Sequence, residues 1–202
     1  MATSYSSRHL AEVSSTQDVA RNAFDGTPIL VTAAVQTAGR GRSGSAWQTA
    51  PRAIAASLAF APGWPPAHLP TITLVAGVAA AAAIDGASLK WPNDVLIGGA
   101  KVAGLLAELS DGVVIVGMGV NLWWPAAPPG VAGIHSEDPG PVEGPRLAEG
   151  WATELLRLVE AGPAAWPIDD YRRLCTTIGR DVTWEPDGSG HAVDIDGSGA
   201  LV

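Results

Sequence analysis

Apolar residues along this chain fall into runs of two kinds, separated by short polar or Gly/Pro-rich connections. Short runs at residues 29–35 and 52–60 are typical of buried strands, and the first is rich in β-branched residues. A longer alanine-rich run at residues 71–84 has a single glycine as its breaker and predicts a buried helix. The same reasoning predicts further strands at residues 88–91, 95–97, 101–109 and 112–124, and further helices at residues 14–24, 146–160 and 168–177.

The connections between these runs carry local turn and cap signals. Gly98-Gly99, between two predicted strands, indicates a hairpin. Ser15 followed by Asp18 fits a capping box at the start of the first helix. Residues 124–145 form a long loop rich in proline and glycine, and long ordered loops are often functional.

The texture of the sequence changes near its C-terminal end. Residues 179–202 read as short alternating strands around two DGSG turns, which predicts a small β module. This module is too short to bury a core alone. We therefore expect a main domain of residues 1–177 and a partial second domain of residues 178–202.

Composition narrows the classes of function. Hydrophobic residues make up 47% of the 202 residues and charged residues 16%, so a sizeable core is expected. The formal net charge of −8 argues against a general nucleic-acid binder, because phosphate-backbone affinity comes from Lys and Arg. The lone Cys175 excludes an intrachain disulfide and reads as an ordinary helical position. Without a signal peptide or a spanning apolar run, we expect a soluble cytoplasmic protein with no membrane partner.

The stretch QTAGRGRSGSAW, residues 36–47, is the first with chemical content. Glycines let a backbone approach an anion, and Arg40 and Arg42 add fixed positive charge in a planar fork that suits phosphate or carboxylate. The stretch matches neither the P-loop nor the dinucleotide-binding pattern. Taken alone, it is equally well a solvated surface loop.

The chain's two lysines define the second stretch. Lys90 and Lys101 both lie within LKWPNDVLIGGAKVAGLLAEL, where a lysine near a buried strand is costly unless it meets an anion. The alternative is that Lys90 pairs with Asp94 structurally and Lys101 points to water. The third stretch, GMGVN, ends in Asn121; its glycines allow a planar ligand to lie close, although a plain strand end is also possible.

In this order and spacing, the three stretches closely resemble the biotin–protein ligase family. The SST of residues 14–16 matches the start of that family's catalytic core, and the resemblance covers about residues 12–125. It implies an α+β fold: a mixed β-sheet flanked by helices, as in class II synthetase-like ligases, with an incomplete SH3-like β module at the C-terminal end. No helix-turn-helix pattern precedes Ser14, so we expect the type that lacks an N-terminal DNA-binding domain.

The resemblance also implies an activity. Members of this family activate biotin with ATP and Mg²⁺ to give biotinyl-5′-AMP, and then transfer biotin to a lysine of the biotin carboxyl carrier domain of a biotin-dependent carboxylase. A lipoate–protein ligase and a non-catalytic biotin-binding protein are the alternatives. A nucleic-acid-binding module is disfavoured by the net charge.

The roles of individual residues follow from the same resemblance. Lys101 would bridge the biotin carboxylate and the α-phosphate, with Arg42 as a second catalytic cation. The implied biotin-binding residues are Ser15, Thr16, Gln36, Gly39, Arg40, Lys101 and Gly104. The implied ATP- and adenylate-binding residues are Arg40, Gly41, Arg42, Trp47, Lys90, Asn93, Asp94 and Asn121, with no protein metal ligand. We also expect residues 37–46 to be mobile without ligand and ordered with it, since a reactive adenylate must be kept from water.

Overall fold

A seven-stranded mixed sheet with four helices forms the body of the molecule. The computed structural model describes residues 4–42, 47 and 49–202. The sheet strands are β1 (Ser6–Val13), β2 (Ile29–Gln36), β3 (Arg52–Phe60), β4 (Ser88–Lys90), β5 (Asp94–Ile97), β6 (Ala100–Ser110) and β7 (Val113–Trp123). The helices are α1 (Thr16–Ala23), α2 (Ile72–Ala83), α3 (Glu143–Glu160) and α4 (Ile168–Leu174). These elements confirm the predicted strands and helices to within a few residues.

The strand order is β1-β2-β3-β7-β6-β5-β4, with β1 parallel to β2 and every other neighbour antiparallel. β1 was not predicted from the sequence. Its residues SSRHLAEV are mostly exposed and polar, because β1 lies at the sheet edge with little apolar surface to bury. The Gly98-Gly99 hairpin is confirmed, and both glycines have positive φ, as a tight turn between strands requires.

The two faces of the sheet differ in side-chain size. Along β3 and β7, alternate residues pack large side chains against α2 and α3; the packed members on these strands are Ile54, Leu58, Phe60, Val116, Met118 and Leu122. The residues between them face the other way, where α1 covers only part of the sheet. There Ala20 of α1 packs in a small cluster with strand residues Ile29, Val31, Ala59 and Ile115. Beyond α1 this second face carries small residues and is open.

Two sequence interpretations of local structure need correction. Ser15 does occupy the N-cap of α1, but its side chain makes no capping hydrogen bond, and the carboxylate of Asp18 bonds to arginines instead. The predicted capping box is therefore wrong, because Arg21 on the same helix and Arg40 from the loop bind the carboxylate of Asp18. Cys175 is buried, but it lies just after α4 as its C-cap rather than within the helix.

The helical stretch Pro66–Ala83 is long and apolar enough, by length and composition, to cross a membrane. Half of it is buried inside the molecule, and α2 packs against α3, α4 and β6. A core helix of a globular domain has the same properties. Its first turns, Pro66–Thr71, form a 3-10 helix.

The C-terminal residues form a separate two-stranded sheet of β8 (Asp181–Trp184) and β9 (Gly188–His191). The segment after β9 returns to the body of the molecule: Ile195 is fully buried in the main core, and Asp194 accepts two hydrogen bonds of 2.8 Å from Arg172. The small β hairpin is confirmed. The domain boundary at residue 178 stays a prediction.

Candidate active site

A cavity of about 830 Å³ opens on the small-residue face of the sheet. Its floor consists of Ala55 and Ser57 from β3, Gly104 from β6, and Gly117, Gly119 and Asn121 from β7. Gly104 and Gly119 are cross-strand partners. A Cβ atom on Gly119 would lie 2.8 Å from the indole of Trp47, and one on Gly104 would lie 3.0 Å from it. The missing side chains therefore create the slot in which Trp47 lies.

Lys101 projects into this cavity from the start of β6. Its Nζ lies 2.5 Å from Oδ1 of Asp94 and 5.7 Å from the ring centroid of Trp47. The alternative pairing of Lys90 with Asp94 is not what the structure shows, and Lys101 does not simply point to water. An ammonium has three donors, so Lys101 can hold Asp94 and still bind an anion in the cavity.

A chain of buried hydrogen bonds orients polar groups at the other end of the cavity. Oε1 of Gln36 accepts from the backbone N–H of Thr16 at 2.7 Å and from its hydroxyl at 3.0 Å. The Thr16 hydroxyl is also 2.8 Å from the hydroxyl of Ser57, which is fully buried. Because a backbone N–H can only donate, it fixes the orientation of the Gln36 amide. The amide NH₂ is then the group that can donate to a carbonyl of a ligand.

The arginines of the glycine-rich loop lie at the mouth of the cavity, and Arg40 is part of an ion-pair network. Its guanidinium donates two hydrogen bonds of 2.9 Å to the carboxylate of Asp18 and lies 3.4 Å from Oε1 of Glu108. Arg21 contacts the same two carboxylates. The hydrogen bond from Arg40 is the main reason that the pKa of Asp18 is lowered, and the same bond raises the pKa of Arg40. Arg42 and Gly41 also line the cavity.

Asn121 provides an acceptor without a partner. Its side chain is 2% exposed, and its Oδ1 has no hydrogen-bond partner among the described residues. A buried unsatisfied oxygen is costly, and a ligand that donates to it would remove that cost. The amino group of a purine base is such a donor.

Residues 124–142, here called the strap, cross the ends of β6 and β7 beside Lys101 and Asn121. The backbone N–H of Lys101 donates to Gly130, its carbonyl accepts from Ala132, and the carbonyl of Asn121 accepts from Ile134, all within 2.8–2.9 Å. The strap is also tied by a side-chain pair: Arg52 donates two hydrogen bonds of 2.8 Å to Asp138. That pairing lowers the pKa of Asp138 from 3.8 to about 2, with a further contribution from the backbone N–H of Gly140.

Most of the predicted site residues come together. The cavity lining includes Thr16, Gln36, Arg40, Gly41, Arg42, Trp47, Asn93, Asp94, Lys101, Gly104 and Asn121. Asn93 also donates from Nδ2 to the carbonyl of Leu105 at 2.9 Å, which fixes the corner before β5. Residues 43–46 lie outside the described residues, so the expected change in mobility of residues 37–46 stays a prediction.

Three predicted residues are not part of this lining. Ser15 is buried at the N-cap of α1. Gly39 packs between Gln36 and Trp47, and a Cβ atom on Gly39 would lie 3.1 Å from the amide nitrogen of Gln36. Lys90 is exposed and lines a second depression of about 770 Å³, together with Trp91 and Trp184.

The cavity also includes residues that the sequence analysis missed, among them Gln17, Ser57, Trp124, Val131 and Glu185. Ser57 could have been found, because it is a hydroxyl within an otherwise apolar strand and falls on the face opposite to the large side chains. Glu185 follows β8 and had no such signal, since only the tertiary fold brings the C-terminal hairpin to the cavity.

A protein-only metal site is not evident among the described residues, which contain no group of three or more His, Cys, Asp or Glu able to hold a metal ion. The cavity does contain the carboxylate of Asp94 among its cations. This is the kind of site that Mg²⁺ enters bound to nucleotide phosphates, with few direct protein ligands.

Comparisons with known proteins identify relatives of this chain. Residues 11–122 match the model of the Biotin/lipoate A/B protein ligase family. The chain is 33% identical over 209 residues to the biotin–[acetyl-CoA-carboxylase] ligase of Mycobacterium tuberculosis, across 86% of this chain and 72% of the relative. It is 40% identical over 126 residues to the bifunctional ligase/repressor BirA of Bacillus subtilis, where the match covers 54% of this chain and only 38% of the relative. Among solved structures, biotin protein ligase from Aquifex aeolicus in complex with biotin and ATP superimposes with a TM-score of 0.82 at 26% identity, over 97% and 90% of the two chains.

Proposed function

Because the chain belongs to the biotin/lipoate A/B protein ligase family, we propose that it is a biotin–protein ligase. In the proposed reaction, an oxygen of the biotin carboxylate attacks the α-phosphorus of ATP, forming biotinyl-5′-AMP and releasing pyrophosphate. The amine of a carrier lysine then attacks the acyl carbon, loses a proton, and displaces AMP. The proposed carrier is the biotin carboxyl carrier domain of a biotin-dependent carboxylase, as the name of the Mycobacterium tuberculosis relative suggests.

The observation that carries this proposal is the arrangement within one cavity. Nζ of Lys101 lies 3.3 Å from the Cβ position of Gly104, the cross-strand partner of Gly119. Gly119 lies on β7 between Gly117, which pairs with Ser57 at the oriented polar pocket, and Asn121 with its unsatisfied acceptor. A ligand with a carbonyl at one end, an amino-bearing base at the other, and an anionic centre between them fits this order. Biotinyl-5′-AMP has that order of groups.

Each group has a distinct proposed task. Gln36 donates to the ureido carbonyl of biotin, and Asn121 accepts from the adenine amino group. Lys101 and Arg42 neutralise the charge that develops around the α-phosphorus, which is where preorganised cations accelerate the reaction most. Trp47, packed on two glycines, shields the acyl phosphate from water. Mg²⁺ would arrive with the triphosphate and neutralise its charge, near Asp94.

The alternatives are less well supported. A lipoate ligase belongs to the same family, but two of the relatives that match are named biotin–[acetyl-CoA-carboxylase] ligase. A pure binding protein would not need the cations Lys101 and Arg42. Localisation in the cytoplasm, with no nucleic-acid or membrane partner, agrees with the net charge of −8 and the packed core helix.

The direct test is adenylate formation. The protein is incubated with MgATP and either biotin or lipoate, and the acyl-adenylate is measured by mass spectrometry. We expect biotinyl-5′-AMP from the wild type and a loss of about a hundredfold or more in rate for Lys101→Ala, the effect of removing one preorganised charge at the reacting centre. Lys90→Ala is the matched comparison, because it removes the chain's other lysine, which lies outside the cavity, and its loss should be much smaller.

Other outcomes have clear meanings. An adduct with lipoate but not with biotin would move the assignment to the sister activity. Biotin binding without any adenylate would leave only a binding protein. Equal losses for the two lysine variants, with unchanged thermal unfolding, would contradict the special role of Lys101.

A further inference from the structure

The ion-pair network around Arg40 connects three parts of the molecule that are distant in sequence. Asp18 and Arg21 lie on α1, Glu108 lies on β6, and Arg40 lies at the start of the glycine-rich loop. Arg40 bonds to both oxygens of Asp18, with 2.9 Å from each terminal nitrogen to its acceptor. This bidentate geometry is the strongest arrangement that arginine makes with a carboxylate.

The carboxylates of Asp18 and Glu108 already accept hydrogen bonds from the terminal nitrogens of Arg40. Nη1 donates to Asp18, and Nη2 is shared between Asp18 and Glu108. A guanidinium held by two negative charges has little net positive charge to offer a phosphate. While these bonds are kept, Arg40 can offer a phosphate only its Nε–H and the second N–H of Nη1.

Backbone hydrogen bonds put this contact at the base of the loop. The amides of Thr37 and Ala38 donate to Val13 and Ser14, next to α1, at 3.0 and 2.9 Å. The amide of Trp47 donates to the carbonyl of Gly39 at 3.3 Å, so the loop leaves and rejoins its base directly beside Arg40. A contact at Arg40 therefore influences the positions of Gly39, which packs on Gln36, and of Trp47, which packs on the cavity floor.

We propose that Arg40 is a positioning residue, which anchors residues 37–42 to α1 and β6 through Asp18 and Glu108 and thereby sets the biotin end of the cavity. The proposal rests on the proposed function for its consequence in catalysis, but not for the anchoring itself. It also assigns a part in the site to Asp18, which does not line the cavity.

The test is a double-mutant cycle of Arg40→Gln, Asp18→Ala and both together. Glu154→Ala is the control, since it removes an arginine–carboxylate pair of the same kind on α3, far from the cavity. In the ligand-free protein, exchange of the Thr37, Ala38 and Trp47 amides is followed by NMR. Each single variant should accelerate that exchange about two- to fivefold, because a partly exposed ion pair stabilises by about that factor. The double variant should exchange little faster than either single variant, because both changes remove the same contact.

Kinetics provide the second arm. Both single variants should raise KM for biotin with a smaller change in kcat, and Glu154→Ala should match the wild type. The proposal is overturned if Asp18→Ala leaves exchange and KM unchanged while Arg40→Gln lowers turnover, because Arg40 would then act on the substrate directly. Unchanged amide exchange in either single variant overturns it as well. If the wild type makes no adenylate, the proposed function fails, but the exchange measurements still decide whether Arg40 is an anchor.

Discussion

Two segments border the same cavity and are held in different ways. In the glycine-rich loop, Thr37 and Ala38 bond through their backbone to residues 13 and 14, but Arg40 is held by side-chain charges, being bonded to Asp18 and close to Glu108. The strap depends on its backbone, which bonds in register with Lys101, Asn121 and Leu122, and adds one exposed ion pair. Backbone bonds to a buried strand resist solvent, whereas ion pairs at the surface are weakened by salt and by competing anions.

This difference suggests that the two segments have different roles. The strap sets the backbone of both Lys101 and Asn121, so it acts as a fixed scaffold for the end of the cavity where we propose that the nucleotide binds. The loop base is held by charges that a ligand can perturb, so it can respond to binding. The comparison predicts that backbone changes in the strap have large effects and charge changes there small ones.

The largest effect is expected from Gly133→Ala. A Cβ at this position would lie 2.8 Å from the Cα of Trp123 and the backbone nitrogen of Trp124, so the strap must move away from β7. We expect the free energy of unfolding to fall by about 1–3 kcal/mol. KM for ATP should rise by about tenfold, which corresponds to about 1.4 kcal/mol of binding.

Chemical denaturation and adenylate kinetics check this prediction. Gly150→Ala is the control, because it makes the same change in α3 with no atom within 4 Å of the new Cβ. There the change should stabilise the protein by about 0.5–1 kcal/mol, as alanine does in a helix. Unaltered stability and KM in Gly133→Ala would show that the strap is not held by close backbone contact.

A smaller effect is expected when the side-chain tie of the strap is removed. Arg52→Gln breaks both hydrogen bonds to Asp138, but the backbone bonds of the strap remain. KM for ATP should rise less than in Gly133→Ala, with thermal unfolding close to that of the wild type. Arg173→Gln, which removes a pair with Asp170 on α4, is the control. An effect of Arg52→Gln as large as that of Gly133→Ala would reverse the ranking of backbone over charge.

The smallest effect is a dependence of stability on pH. The pKa of Asp138 is about 2 in the folded protein against an ordinary 3.8, so its pairing stabilises the fold above about pH 4. That contribution is lost as pH falls through 2, because the carboxylate then becomes protonated in both states. The difference in free energy of unfolding between wild type and Asp138→Asn should be constant at neutral pH and shrink toward zero between pH 4 and 2. A difference that persists at pH 2 would assign the stabilisation to a cause other than charge.

Much of the fold could be predicted because it depends on local patterns. Apolar runs such as residues 52–60 have few conformations that bury them, and glycines at 98 and 99 allow a turn that other residues resist. The edge strand β1 escaped prediction since its stability comes from pairing with β2 rather than from its own apolar pattern.

Most residues of the candidate site were predicted from the sequence, but the contacts among them were not. Lys90 and Asp94 are direct cross-strand partners, yet the carboxylate of Asp94 bonds to Lys101. A shift in register between β5 and β6 at Val95 and Leu96 accompanies this choice, and a bulge of that kind redirects side chains. The spacing of residues along the chain does not reveal such a shift in register.

The sequence by itself determined which residues alternate on the strands, where the turns fall, and which motifs supply most of the cavity lining. Those properties are set by bond geometry and by the periods of helix and strand, both of which act over a few residues. Only the tertiary structure decided that Arg40 bonds to Asp18 and Glu108, that Ser57 joins Thr16, and that Glu185 reaches the cavity. Charges and hydroxyls choose partners by distance in space, and distances between residues far apart in sequence exist only once the chain has folded.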